Sequence, residues 1–240
     1  MRSILGPGVS SGIGDRVGSP AAMSVRRGLV ALGDSITRGR GGAPALGVHP
    51  QSWALWLAEA LELPVTILGR DGATAADVVR DQLPRLRGPY DLATLHIGAN
   101  DARSVVFDAA AFERDAGIAL DALAEAAERV LVLTVPTGLG RPPAGRDVVA
   151  ANGILRAHAG RTGALVCALD DFAGRRLVLP DAVHPTSAGM VEIARRALVT
   201  LGSDARIDSG ERRDPLSRAR YAAWYAKQEL RDRRRRWSER

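Results

Sequence analysis

The chain has 240 residues, of which 46% are hydrophobic and 25% are charged. This length and composition are typical of one globular domain with a sizeable core, and they exclude wholesale disorder, collagen-like repeats and low-complexity sequence. The formal net charge of +6 would suit an anionic partner such as nucleic acid or a membrane surface, unless the excess is confined to one segment.

Residues 1–22 are rich in glycine, serine and proline and are predicted to form a flexible N-terminal segment. The apolar stretch after Arg2 is limited to Ile4-Leu5, whereas a secretory signal needs an apolar region of roughly 7–15 residues. No apolar run approaches the roughly 18 residues of a membrane-spanning helix. We therefore expect a cytoplasmic protein that is not transmembrane, with its true start at Met1 or Met23.

From residue 23 to residue 202, short apolar runs alternate with longer amphipathic stretches. Strands are predicted at Leu29–Leu32, Val65–Leu68, Leu92–Ile97, Val130–Val135 and Ala164–Leu169. Helices are predicted at Trp53–Leu61, Thr74–Leu83, Ala110–Ala127, Val148–Ala159 and Ser187–Leu201. Continuous apolar strands separated by helices are typical of a parallel sheet covered on both faces. The sequence therefore predicts a single α/β domain with three layers and right-handed crossovers.

Glycine-rich and polar segments follow the ends of several predicted strands. They are Gly33–Gly39, Gly69–Thr74, Gly98–Asp101 and, beyond a loop after the fifth strand, Asp181–Pro185. Ligands of open α/β sheets bind outside the carboxyl ends of the strands, so these segments are expected to share one rim. Each segment also has a purely structural interpretation: a helix cap at Ser35, a turn at Gly72, a self-bonded loop at Asn100 and a surface histidine at His184.

Taken together, these residues fit the chemistry of acyl transfer. Ser35 is a candidate nucleophile, and His184 is a candidate base because a serine hydroxyl needs a group that takes its proton. Asp181 stands three residues before His184 and can fix the tautomer of its imidazole. The oxyanion of the tetrahedral intermediate needs preorganised donors. The candidates are the backbone N–H groups of Ser35 and Gly72 and the side-chain amide of Asn100.

The same segments resemble the sequence blocks of the SGNH hydrolases, also called GDSL-type esterases/lipases. Gly33-Asp34-Ser35 resembles the first block with its nucleophilic serine, and Gly72 resembles the glycine of the second. Gly98-Ala99-Asn100-Asp101 resembles the third block, and Asp181-Ala182-Val183-His184 resembles the fifth, which carries the acid and the base. The family often has an asparagine where Leu68-Gly69 stands here. The resemblance spans about residues 26–202 and implies a flavodoxin-like α/β/α sandwich with a five-stranded parallel sheet.

Motifs of other nucleophile and nucleotide sites do not fit. An α/β-hydrolase would show G-x-S-x-G, but Thr37 stands at the second glycine. A dinucleotide-binding loop would need G-x-G-x-x-G after the first strand, and a P-loop would need a lysine, whereas the sole lysine is Lys227. His96 and Cys167 lie within predicted strands and are expected to be core residues. A metal site is a weak alternative, with candidate ligands Asp170, Asp171, Asp181 and His184.

The C-terminal extension, residues 203–240, holds the excess positive charge. Residues 211–240 contain 11 Lys+Arg and 5 Asp+Glu (+6), which leaves 33 − 11 = 22 basic and 27 − 5 = 22 acidic residues in the rest. Asp214-Pro215 predicts a helix start, and Tyr221, Trp224 and Tyr225 follow at helical spacing. This helix could dock its aromatic side chains on the domain, contact an anionic surface, or overhang the active site as a substrate wall.

The sequence therefore predicts a serine hydrolase that cleaves carboxylic esters or thioesters through an acyl-enzyme. Two alternatives stay open: an acyltransferase using the same residues, and a non-catalytic binding module recruited through its basic tail. The expected partner is a small-molecule ester, with no nucleic acid required and no metal or cofactor implied. The acyl-chain length and the oligomeric state are not determined by these patterns.

Overall fold

The computed structural model describes residues 27–41 and 46–238, so the segment predicted to be flexible (1–22) and Met23 lie outside the described residues. Its centre is one sheet of five parallel strands in the order β2-β1-β3-β4-β5. The strands are β1 (Leu29–Gly33), β2 (Val65–Ile67), β3 (Leu92–His96), β4 (Val130–Leu133) and β5 (Leu165–Cys167). Gly33 pairs with His96 at the end of β1, and Ala31 pairs with Ile67. The predicted five-stranded parallel sheet is therefore confirmed.

Helices cover both faces of this sheet. They are α1 (Ser35–Arg38), α2 (Trp53–Leu61), α3 (Ala75–Asp77), α4 (Ala109–Ala126), α5 (Gly145–Thr162), α6 (Ser187–Thr200) and α7 (Pro215–Ser238). Side chains of β1 alternate between the two faces, because Leu29 and Ala31 pack with α2 and α6 whereas Val30 and Leu32 pack with α4 and α5. The three-layer α/β/α sandwich is confirmed. No helix within the described ranges is long and apolar enough to cross a membrane.

One predicted helix differs from the structure. The stretch predicted as Thr74–Leu83 is α-helical only over Ala75–Asp77 and continues as a π-helical turn, Val78–Gln82, and a 3₁₀ turn, Leu83–Arg85. Thr74 caps the helix through a capping box with Asp77. The buried amide of Gln82 then bonds the backbone of Gly33, and Pro84 has no N–H for a helical bond. Tertiary contact and proline chemistry therefore end the α-helix early.

The C-terminal helix α7 is docked on the domain. Asp214 caps it, since the Ser217 N–H donates to Asp214 Oδ1 at 2.9 Å. The hydroxyl groups of Tyr221 and Tyr225 donate to the carbonyl oxygens of Arg175 and Val178 at 2.5 and 3.1 Å. Docking through the aromatic side chains, one of the three arrangements expected for this helix, is therefore present in the structure.

Gly189 in α6 is a site where a side chain cannot fit. A Cβ there would overlap the carbonyl oxygen of Leu177 and lie 3.0 Å from the Cβ of Pro185. We expect Gly189→Ala to lower the free energy of unfolding by about 1–3 kcal/mol, measured by urea denaturation. Gly160→Ala in α5 is the matched control, since a Cβ at Gly160 meets no atom within 4 Å, and it is expected to raise stability by about 0.5–1 kcal/mol. Equal stability of the two variants would contradict this packing argument.

Candidate active site

Ser35 stands at the rim of the sheet, directly after β1. Gly33 ends the strand with a φ of 149°, and a Cβ there would overlap the carbonyl oxygen of His96. The side chain of Gln82 holds this turn from both sides, since it accepts from the Gly33 N–H at 2.9 Å and donates to the Gly33 carbonyl at 2.8 Å. Asp34 caps α1 by accepting from the Ile36 N–H at 2.9 Å. Ser35 is therefore held at the first position of α1.

The structure brings Ser35, His184 and Asp181 into one hydrogen-bonded chain. Ser35 Oγ lies 3.2 Å from His184 Nε2, and His184 Nδ1 lies 2.7 Å from Asp181 Oδ2. The other oxygen of Asp181 accepts from the backbone N–H groups of Val183 and His184 at 2.9 and 3.0 Å. Burial raises the pKa of Asp181, but these hydrogen bonds outweigh it and leave the pKa below its usual value. An ionised Asp181 keeps the proton on Nδ1 and leaves Nε2 facing the serine.

The acid and the base share the tip of a small hairpin. Val178 bridges to Pro185, and the Leu179 N–H donates to the His184 carbonyl at 2.9 Å. Ala182 turns the tip with a φ of 57°. Beyond it, Thr186 caps α6 through the Gly189 N–H at 3.0 Å. Helix α7 therefore contacts one arm of this hairpin directly, through Val178, and also contacts the turn at Arg175 that leads into that arm.

Removing α7 is expected to loosen that hairpin. A chain ending at Arg213 would lose the two tyrosine hydrogen bonds to Arg175 and Val178 and leave Asp181 and His184 less well placed. For the ester hydrolysis that the sequence predicts, we expect kcat for p-nitrophenyl acetate to fall by about 10–100-fold, since misplacement by about 1 Å can cost 10²-fold.

Two further measurements keep this test decisive if the shortened chain is unstable. The double variant Tyr221→Phe/Tyr225→Phe keeps both rings, removes only the hydroxyl groups, and is expected to lower kcat with little change in KM. Adding a peptide of residues 214–240 to the shortened chain is expected to restore part of the lost kcat. A wild-type kcat in the shortened, folded chain would refute the contribution of α7.

The predicted oxyanion donors come from the ends of adjacent strands. The sheet order places β2 and β3 on either side of β1, so the loops that hold Gly72 and Asn100 flank Ser35. Asn100 Nδ2 donates to the Ala73 carbonyl at 2.9 Å and carries a second N–H. Gly72 has a φ of 74° and open space where a Cβ would stand. The two loops are thus tied together beside the serine.

Asp34 and Asp101 hold these loops by accepting backbone hydrogen bonds. Burial raises the pKa of Asp34 to about 7, against the lowering effects of the Ile36 N–H and the charge of His184. Asp101 accepts from the Ala75 N–H at 3.0 Å, and burial raises the pKa of Asp101 above its usual value. Both contacts show that these two carboxyl groups hold backbone of the loops around Ser35.

The remaining polar candidates lie apart from this chain of residues. His96 is buried beside Trp53, and burial lowers the pKa of His96 to about 4 and so keeps its ring neutral. Burial raises the pKa of the Cys167 thiol to about 11, which leaves it unreactive at neutral pH. Asp170 and Asp171 each pair with an arginine, Arg156 and Arg196, and not with Asp181 or His184.

The sequence patterns did not identify Gln82 as a residue that supports the site. Its contact with Gly33 joins residues 49 positions apart, and no local pattern indicates such a contact.

Comparisons with known proteins agree with this architecture. A model of the GDSL-like lipase/acylhydrolase family matches residues 31–191. No curated protein sequence matches the chain. Among solved structures, Axe2, an acetylxylan esterase from Geobacillus stearothermophilus, aligns with a TM-score of 0.60 at 20% identity, covering 75% of this chain and 96% of that one. LAE5, an alpha/beta hydrolase enzyme from the metagenome of Lake Arreo in Spain, aligns with a TM-score of 0.57 at 21% identity, covering 73% and 95%.

Proposed function

Because the chain belongs to the GDSL-like lipase/acylhydrolase family and is a carboxylic ester hydrolase, we propose that it cleaves its ester through an acyl-enzyme on Ser35. The observation that carries the proposal is the hydrogen-bonded chain from Ser35 through His184 to Asp181. The Geobacillus enzyme supports it, since its catalytic mutants carry alanine in place of a serine, an aspartate and a histidine. There too the aspartate and the histidine stand three positions apart.

In the first half of the reaction, Ser35 Oγ attacks the carbonyl carbon of the ester while His184 Nε2 takes its proton. The positive charge that forms on His184 is stabilised by the ionised Asp181, which lies 2.7 Å from Nδ1. The tetrahedral intermediate then collapses, its bond to the alcohol oxygen breaks, and His184 returns the proton to the leaving alkoxide. Ser35 is left carrying the acyl group as a new ester.

In the second half, water takes the place of the alcohol. His184 removes a proton from the water as its oxygen attacks the acyl carbon, and the second tetrahedral intermediate expels Ser35 Oγ. The proton passes from His184 to Oγ, which restores the serine hydroxyl and releases the carboxylic acid. Each half uses the same chain of residues, so one set of contacts serves both steps.

Each tetrahedral intermediate carries a negative charge on its oxyanion, which hydrogen-bond donors beside Ser35 would stabilise. We propose that the backbone N–H groups of Ser35 and Gly72 and the Asn100 amide bind this oxyanion, since their loops follow the adjacent strands β1, β2 and β3.

Replacing Asn100 tests the proposed oxyanion contact. We expect Asn100→Ala to lower kcat for p-nitrophenyl acetate by about 10²–10³-fold, because one preorganised donor is lost. Thr74→Val is the matched control: it removes the cap of α3 in the neighbouring loop but no proposed oxyanion donor, and kcat should change far less. An equal loss of kcat in both variants would point to general loop damage.

The direct test of the proposed function is labelling by a fluorophosphonate, which phosphonylates activated serines. We expect one adduct, on the peptide that contains Ser35, and the loss of p-nitrophenyl acetate hydrolysis in proportion to labelling. A folded protein that neither reacts with the probe nor hydrolyses the ester would contradict the proposal and favour a binding module. Product analysis in the presence of added alcohols would separate hydrolysis from acyl transfer.

A further inference from the structure

A basic groove lies between the last turns of α7 and the loop that follows β4. Its volume is about 890 Å³, within the range of roughly 300–1,000 Å³ that is common for small-molecule sites. The α7 residues that line it are Leu230, Arg233, Arg234, Arg236 and Trp237. The facing residues include Gly138, Gly140, Arg141, Pro142 and Ala182. We refer to it below as the arginine groove.

The arginine groove carries uncompensated positive charge. No carboxylate is among the described residues that line it. Arg233 and Arg234 form no ion pair with any described residue, whereas Arg236 pairs with Asp232 at 2.9 Å. Among the residues that the structure describes, Arg141 hydrogen-bonds only through its Nε, which donates to the Pro180 carbonyl at 2.9 Å, so its terminal N–H groups can serve a ligand. A group with two negative charges would match Arg233 and Arg234 better than a single carboxylate would.

One wall of the arginine groove is apolar. Trp237 is 84% exposed and Leu230 is 57% exposed, and Pro142 is another apolar residue that lines the groove. Guanidinium groups bind phosphate through paired hydrogen bonds, while an exposed aromatic ring offers an apolar surface for the adjoining carbon chain. The combination suits a ligand that joins a phosphate to a carbon chain.

The groove is fixed in place beside the acid–base hairpin. The Gly140 N–H donates to the Ala182 carbonyl at 2.7 Å, which joins the floor of the groove to the turn between Asp181 and His184. On the other side, Tyr225 binds the Val178 carbonyl of the same hairpin. The arginines are therefore presented by a docked helix and not by a free tail.

The position of the groove indicates which portion of the ester substrate, the acyl group or the alcohol, would reach it. His184 must return a proton to the leaving alkoxide, so the alcohol portion of the substrate has to lie against the acid–base hairpin. Ala182, two residues before His184, is among the residues that line the arginine groove. A charged group in the groove would therefore belong to the alcohol portion and not to the acyl portion.

We propose that the arginine groove is a subsite for a phosphate group carried by the alcohol portion of a soluble ester substrate. This inference rests on the proposed function, because it takes the orientation of the ester from the roles of Ser35 and His184. It gives the excess charge of the C-terminal segment a role in substrate selection.

The test compares pairs of acetate esters that differ only in the phosphate. One series consists of acetate esters of ω-hydroxyalkyl phosphates from ethyl to hexyl, and the other has a hydroxyl in place of each phosphate. Acetate release gives kcat/KM for every member. At the chain length that spans the distance from Ser35 to the groove, we expect kcat/KM to favour the phosphate by about tenfold or more, the value of one or two charge-assisted hydrogen bonds.

The double variant Arg233→Gln/Arg234→Gln is expected to abolish this preference. Both arginines are exposed, so the change should leave the thermal unfolding temperature near that of the wild type. Arg218→Gln is the matched control, because Arg218 is exposed on the same helix roughly 24 Å along its axis from Arg234. It is expected to keep both the preference for phosphate and the hydrolysis of p-nitrophenyl acetate.

The outcomes separate this proposal from the proposed function. If the wild type hydrolyses p-nitrophenyl acetate but shows no preference for phosphate at any chain length, the subsite is refuted and the hydrolase stands. If p-nitrophenyl acetate is not hydrolysed, the proposed function itself fails. Sedimentation with phosphatidylglycerol vesicles but not phosphatidylcholine vesicles, without a preference between the soluble esters, would overturn the subsite and assign the groove to a membrane surface.

Discussion

Replacing Ser35 with alanine is expected to lower kcat for ester hydrolysis by about 10⁶-fold while the protein stays folded. The variant loses only Oγ, the atom that lies 3.2 Å from His184 Nε2 and that carries the acyl group in the proposed mechanism. The donors and the hairpin that surround it are unchanged. Hydrolysis of p-nitrophenyl acetate by the purified variant measures the loss, and the fluorophosphonate adduct should vanish with it.

Ser104→Ala is the matched control for this substitution. Ser104 is another serine on the loops that follow the strands, where its hydroxyl bonds the carbonyl groups of Asp101 and Val106, and it has no part in the proposed chemistry. We expect this control to keep kcat and phosphonate labelling. Hydrolysis by Ser35→Ala at the wild-type rate would show that the acyl-enzyme mechanism is wrong.

Replacing Asp181 with asparagine is expected to lower kcat by about 10⁴-fold. The backbone N–H groups of Val183 and His184 both donate to Asp181 Oδ1, so the amide oxygen of asparagine is expected to take that position. Its NH₂ group would then face His184 Nδ1, which must accept a hydrogen bond and give up its proton. The remaining proton would sit on Nε2, where it prevents His184 from acting as the base for Ser35.

Asp171→Asn provides the comparison for Asp181→Asn. It makes the same chemical change at a carboxylate whose partner is Arg196, on a side chain that is largely exposed. Its kcat should match that of the wild type, and both variants should unfold at similar temperatures. If Asp181→Asn kept kcat within tenfold of the wild type, Asp181 would not be the residue that orients His184.

The residues of the candidate site could be predicted from the sequence because each lies next to a strong local sequence pattern. Each strand is a short apolar run, and Ser35 and Asn100 follow the ends of two such runs. In a parallel sheet those ends share one rim, so the placement of both residues on that rim could be inferred without coordinates. The acid and the base were accessible for another reason: Asp181 and His184 are three residues apart and make a local contact.

Two elements were missed or predicted wrongly, one because it is short and one because it depends on a contact across the chain. Helix α1 has four residues, too few for a hydrophobic period to be recognised. The helix predicted to reach Leu83 ends its α-helical part at Asp77, because Gln82 is drawn to the backbone of Gly33. Gly33 and Gln82 are 49 positions apart, and no pattern in the sequence around either residue indicates that they are in contact.

Sequence alone was enough to locate the excess charge in residues 211–240 and to predict a C-terminal helix with aromatic side chains at helical spacing, since composition and periodicity are local properties. Packing was needed to show what those arginines face. Arg141 and Arg233 meet across one groove because the tyrosines of α7 bind the acid–base hairpin. How α7 sits on the hairpin depends on the shapes of two surfaces that are distant in sequence, so only the folded chain places these arginines in one groove with Ala182 of the acid–base hairpin.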